Sequence, residues 1–106
     1  MIKNSTILLL IMKIKLSTGF RLKLAKLVKY IARDKPQAGR NFKNELLNEI
    51  RKIPEFPYSY RKSIFFKDDN IRDLVYKGAV IAFRILKNRN TIEVFGFSKY
   101  EDLPMK

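Results

Sequence analysis

The chain has 106 residues, of which 23 are lysine or arginine and 10 are acidic, giving a formal net charge of +13. That length supports one domain, and the imbalance points to a polyanionic partner: nucleic acid, an anionic membrane surface or an acidic protein. With no cysteine and no histidine, disulfides, thiolate metal sites and the commonest general base are excluded, so neither a metal site nor a cofactor is expected.

The apolar run Ile7–Met12 is too short to span a bilayer, which takes ~20 residues. Lys13 and Lys15 interrupt it, and no small-residue cleavage site follows. No membrane segment is expected, and the cytoplasm is the expected location. A first strand is expected to begin within Ile7–Leu16. Residues 1–11 read as an N-terminal extension, with Met12 an alternative start to Met1.

Ser17-Thr18-Gly19 breaks that strand and offers a hydroxyl helix cap. Phe20, Leu24, Leu27, Val28 and Ile31 then recur at helical spacing, with Arg21, Lys23, Lys26, Lys29 and Arg33 over the remaining surface. No acidic residue occurs from Met1 to Arg33. A face of one sign repels itself and suits a negative partner. Asp34-Lys35-Pro36 closes this helix and opens a second, with Asp34 a candidate cap and Pro36 suited to the first turn. Ala38, Phe42, Leu46, Ile50 and Ile53 give the second apolar stripe, while Glu45 and Glu49 read as helix-surface partners of Lys43, Arg51 and Lys52. So short a connection predicts an antiparallel helical hairpin.

Pro54 and Pro57 end the second helix. In the connector Tyr58–Ser63, tyrosines packing under a loop is the expected arrangement, with base stacking and phosphate contact the alternative. Ile64-Phe65-Phe66 is expected to extend the sheet briefly or plug its edge. From Ile71 to Phe97 the chain reads as three strands joined by turns at Tyr76–Ala79 and Asn88–Asn90. Ala79, Ile81, Phe83 and Ile85 alternate with Val80, Ala82, Arg84 and Leu86; Ile92 and Val94 alternate with Thr91, Glu93 and Phe95. Such a meander cannot bury its apolar face alone, and the helical hairpin is the expected cover. The predicted fold class is α+β, with helices on one face of a small four-stranded sheet and a C-terminal tail over residues 99–106.

No phosphate-binding loop, dinucleotide fingerprint, metal spacing or nucleophile–base set is present. Three phrases nevertheless stand in order. Tyr30–Ala38 is similar to a helix-to-helix junction "YIA…P-x-A", Ile50–Pro57 to an exit "I-x-x-L-x-x-x-P", and Arg72–Ile85 with Ile92–Val94 to a hairpin "R-x-L-x-x-G" and its following strands. Together, over roughly Met12 to Glu101, these resemble the RelE/ParE superfamily of bacterial type II toxins.

The resemblance implies a toxin held inactive by a cognate antitoxin, in a hetero-oligomer. RelE-like members cut mRNA on the ribosome with basic residues of the sheet; ParE-like members inhibit DNA gyrase by binding it. Carried over residue by residue, the nuclease set leaves only Arg72, Lys77, Lys99 and Tyr100 as candidates, because Val80 stands where an arginine is expected and a terminal tyrosine has no counterpart. Arg84 is expected to pair with Glu93 across the strands. The reading is therefore a ParE-like gyrase inhibitor; the alternatives are a ribosome-dependent mRNA endonuclease and a basic nucleic-acid-binding module. The antitoxin is expected to carry an acidic amphipathic segment. Its contacts are expected at Phe20, Leu24 and Phe42, with Arg21 and Lys23 at the rim; Arg84 is counted among the partner contacts too.

Overall fold

The computed structural model describes residues 12–99. The expectations placed on residues 1–11, on Tyr100 and on the tail beyond Lys99 lie outside the described residues. Strand β1 (Lys13–Leu16) leads into α1 (Thr18–Asp34) and α2 (Pro36–Arg51). Two short 3-10 turns, Ile53–Glu55 and Pro57–Ser59, precede β2 (Arg61–Lys62). Strands β3 (Ile71–Tyr76), β4 (Ala79–Leu86) and β5 (Thr91–Lys99) complete the chain order.

The sheet has five strands in the order β1-β5-β4-β3-β2, not four. The fifth is β2, whose Arg61 and Lys62 pair antiparallel with Asp73 and Arg72. It lies just before Ile64–Phe66, where an extension was expected, and those three residues are not in a strand. Two paired residues leave no period-two pattern to read. Strand β1 pairs parallel to β5, Ile14 opposite Ile92 and Leu16 opposite Val94. Strands β3, β4 and β5 run antiparallel in turn.

Ser17 caps α1, its Oγ accepting from Phe20 N at 3.1 Å. Asp34 ends α1 instead of capping α2, whose N-cap is Lys35 with no side-chain bond; Pro36 opens it. The β3–β4 turn places Lys77 at φ 44° and Gly78 at φ 81°. Both central residues of this two-residue turn are left-handed, the hand that matches the twist of the flanking strands. Asn90, at φ 50°, turns the chain into β5.

The core lies between the helices and one face of the sheet. Phe20, Leu46, Ile50 and Ile53 meet Ile81, Phe83, Ile92 and Val94, all fully buried or nearly so. An irregularity between Ala82 and Phe83 leaves Phe95 without a direct partner, since Phe83 pairs Val94 and Ala82 pairs Gly96. This extra residue shifts the alternation, so that Phe97 rejoins the helix side and packs 5.7 Å from the Phe20 ring. No described helix is long and apolar enough to cross a membrane.

Candidate functional site

Two surfaces stand out, and the sheet order separates them. Among the described residues strand β1 is an edge, paired only to β5, which leaves its outer backbone groups as a template for another strand. Ile14 and Leu16 turn half-buried toward the helices, while Lys13 and Lys15 are exposed. Beside this edge, Ile14, Lys15, Leu16, Arg21, Leu47, Ile50 and Arg51 line a cavity of about 460 Å³. A second, of about 520 Å³, is lined by Leu16, Arg21, Leu24, Ala25, Val28, Lys29, Lys43 and Leu47. The two share Leu16, Arg21 and Leu47, so they form one groove with an apolar floor.

Every charged residue lining that groove is basic: Lys15, Arg21, Lys29, Lys43 and Arg51. Among the described residues none of the five makes an ion pair. Arg21 Nε donates to Leu16 O at 3.1 Å, fixing the rim where β1 meets α1. Five uncompensated cations around an apolar trough favour an acidic amphipathic segment.

The expected contacts divide. Arg21 lines the groove and Leu24 forms part of its floor, though only 5% exposed. Phe20 is wholly buried and is core, without surface to offer. Phe42 is half-buried and packs 5.9 Å from the Tyr76 ring. Lys23 Nζ reaches Phe97 O at 3.5 Å, toward β5. Leu47, Lys29, Lys43 and Arg51 also line the groove but are not among the contacts expected from the sequence; the signal for Lys29 is the one-sign basic face of the first helix, and Leu47 lies next to Leu46 of the second stripe.

The opposite face of the sheet carries no helix among the described residues. There Arg84 Nη1 donates to Glu93 Oε1 at 2.9 Å, the cross-strand pair expected from the sequence, and its guanidinium stands 4.5 Å from the Phe95 ring centre. Val80, where the nuclease comparison wants an arginine, is buried. Asp73 is 2% exposed; its Oδ2 accepts from Ile64 N at 3.1 Å and lies 3.6 Å from Arg61, while Oδ1 has no hydrogen-bond partner.

Of the four nuclease candidates, Arg72 and Lys77 are not gathered. Arg72 donates to the carbonyls of Asp69, Tyr58 and Tyr60 and so braces the connector. Lys77 Nζ is 3.0 Å from Glu45 Oε1, five residues further along the strand and turn, roughly 17 Å away for an extended chain. Lys99 closes β5 opposite Ala79, and Tyr100 lies outside the described residues. Glu45 is thus not a helix-surface partner: it accepts from both Tyr76 Oη, at 2.5 Å, and Lys77. The Tyr76 hydroxyl, then Lys77, pull its carboxyl below the usual range. The same bond pushes Tyr76 and Lys77 up. Of the connector tyrosines, Tyr60 packs edge-on against Phe83 at 5.4 Å and burial raises its hydroxyl pKa. Tyr58 stays 40% exposed, flanked by Arg72 and Lys87. No three acidic side chains among the described residues come together as metal ligands would.

A family model described as "ParE toxin of type II toxin-antitoxin system, parDE" matches residues 14–103. A search of curated proteins returns no similar chain.

Proposed function

The chain belongs to the ParE toxin family of type II toxin–antitoxin systems, and from that premise we propose that it stops growth by binding DNA gyrase and is neutralised by an acidic antitoxin seated in the β1–α1–α2 groove. An antitoxin partner follows from the family; the target and the seat are our reading. One observation carries the choice of binding over cutting: the basic side chains of the described candidates, which a nuclease of this kind would converge on one phosphate, are tied into structure. Arg72 holds three backbone carbonyls, Lys77 holds Glu45 and Arg84 holds Glu93. Phosphodiester cleavage without histidine needs a base, an acid and charge stabilisers placed together.

The groove supports the neutralisation part. Its five cations, none in an ion pair among the described residues, and its apolar floor fit a segment alternating carboxylates with leucine-like residues, and the β1 edge can accept its backbone. The test is induction without antitoxin, paired with supercoiling by purified gyrase in the presence of the purified chain. Inhibited supercoiling with intact bulk mRNA is the expected result. Codon-positioned mRNA cuts on primer extension, with gyrase unaffected, would overturn it in favour of a ribosome-dependent nuclease.

A further inference from the structure

Ile64, Phe65 and Phe66 are three consecutive apolar residues, 44%, 39% and 44% exposed. Burying such side chains stabilises a fold in proportion to the apolar area removed from water, so a loop that displays three of them in sequence forgoes that gain. Loose packing does not account for it. Ser63 N donates to Ile71 O at 3.0 Å, Ile64 N to Asp73 Oδ2 at 3.1 Å, and Phe65 N to Ser63 Oγ at 3.2 Å. The Phe66 ring packs 5.5 Å from Phe95, on the face of the sheet that the helices leave open. Asp73 is buried; its Oδ2 holds this loop while its Oδ1 has no hydrogen-bond partner among the described residues, a cost set against fixing the loop's backbone.

Electrostatics identify what the loop fits. From Arg61 to Asp73 there are four basic and three acidic residues, whereas Met1 to Arg33 holds eight basic and none acidic. Around the loop three cations are paired: Arg61 with Asp73 at 3.6 Å, Lys62 with Asp69 at 3.2 Å and Arg84 with Glu93 at 2.9 Å. Arg72 is spent on the carbonyls of Asp69, Tyr58 and Tyr60, and Lys67 is left without an ion pair among the described residues. A nucleic acid would need several free cations for its phosphates and flat rings for its bases; here most flanking cations are engaged, Lys67 alone, beside Asp68, stands without a partner among the described residues, and Ile64 has no ring. The electrostatic complement of an apolar tip so close to neutral is an apolar cleft without strong charge. A rigid aromatic anchor with arginine at its border is the composition of a protein–protein hot spot.

We propose that the Ile64–Phe66 loop is the tip by which the chain grips the protein it inhibits, and that this protein offers an apolar cleft without strong charge. The inference rests on the reading that the chain acts by binding a protein, and it places target and antitoxin on separate surfaces: the loop beside β2 for one, the groove beside β1 for the other. The test compares the wild type with the double variant Ile64→Ser/Phe65→Ser and the single variant Phe65→Ser, at matched expression. It reads growth arrest, supercoiling by purified gyrase, thermal melting and oligomeric state. We expect the melt to be retained and the concentration needed for arrest and for gyrase inhibition to rise at least about tenfold. If the double variant melts early, the single variant decides, with the same expectation. Wild-type potency in a folded variant overturns the proposal. So does a wild-type dimer that the variant dissociates with its toxicity unchanged, for then the occupant is a second copy. Loss of salt-sensitive binding to a single-stranded oligonucleotide in the variant overturns it in favour of nucleic acid. If the wild type arrests growth without touching gyrase, the gyrase reading fails alone and the loop is judged on growth arrest. A wild type that does neither overturns both.

Discussion

Arg84 and Glu93 occupy directly paired positions of β4 and β5, and their side chains close to 2.9 Å while the guanidinium covers the Phe95 ring. The two groups are 38% and 26% exposed, so water weakens but does not abolish the pair. The cation–ring contact and the ion pair are each of the order of 0.5–1 kcal/mol at such depth. Arg84→Ala is therefore expected to lower stability by about 1–2 kcal/mol in urea unfolding. A double-mutant cycle with Glu93→Gln should return a coupling of no more than about 1 kcal/mol. Coupling indistinguishable from zero would mean that the ring contact, not the carboxylate, holds Arg84.

The groove gives a prediction with a salt signature. Arg21 and Lys29 carry charge unpaired among the described residues on a lining that Leu47 floors. Arg21→Glu with Lys29→Glu should weaken binding of the cognate acidic antitoxin by about tenfold or more near 0.1 M salt, and added salt should erase much of that difference. Leu47→Glu should weaken it at every salt concentration, because it removes apolar contact and buries a repelled carboxylate. Titration calorimetry across a salt series separates the two. Equal losses at low and high salt for the charge reversals would show that the cations do not steer this partner.

Gly39 shows where the sequence misleads. Near a helix start it reads as a small propensity cost, yet it is buried where α2 meets α1. A Cβ there would stand 2.9 Å from Ala32 Cβ and 3.0 Å from Val28 O. Backbone cannot yield as a long side chain would. Gly39→Ala should thus destabilise by about 1–3 kcal/mol despite its better helix propensity. An unchanged or raised midpoint in urea would show that the two helices part without strain.

What was legible follows the same physical divide. Local chemistry could be read: the Ser17 hydroxyl ahead of an apolar stripe, Asn90 in a left-handed turn, the alternation that puts Ile81 and Phe83 on one face, and the register that sets Arg84 against Glu93. Depth and long-range partners could not. An amphipathic stripe does not say that Phe20 is sealed while Leu47 stays reachable. Glu45 looks like any helix-surface carboxylate until the fold brings Tyr76 and Lys77 to it. Arg61 and Lys62 carry no strand pattern, since pairing with β3, not side-chain period, makes them a strand. The extra residue at Phe95 is likewise a property of two strands together. Of the groove, the sequence exposed the charge and part of the floor; its walls depend on how α2 crosses β1.

The Glu45–Tyr76–Lys77 cluster gives the pH dependence. Hydrogen bonds from Tyr76 and then Lys77 lower the Glu45 carboxyl pKa. A carboxyl lowered on folding adds stability that is present above its unfolded pKa and is lost as the pH falls through its folded one. Tyr76 and Lys77 are both raised, each chiefly by its bond to Glu45. A group raised on folding adds stability that is present below its unfolded pKa and is lost as the pH rises through its folded one. Wild type should therefore melt above Glu45→Gln across the neutral range. The gap should close on acidification through the lowered folded pKa, once the carboxyl is protonated in both states. It should narrow again in strong alkali as the hydroxyl and ammonium lose their protons. All three side chains face solvent, so the gap is small, and its shape, not its size, is the measurement. A gap that persists unchanged into acid would show that the glutamine repacks the turn, not that a charge is lost there.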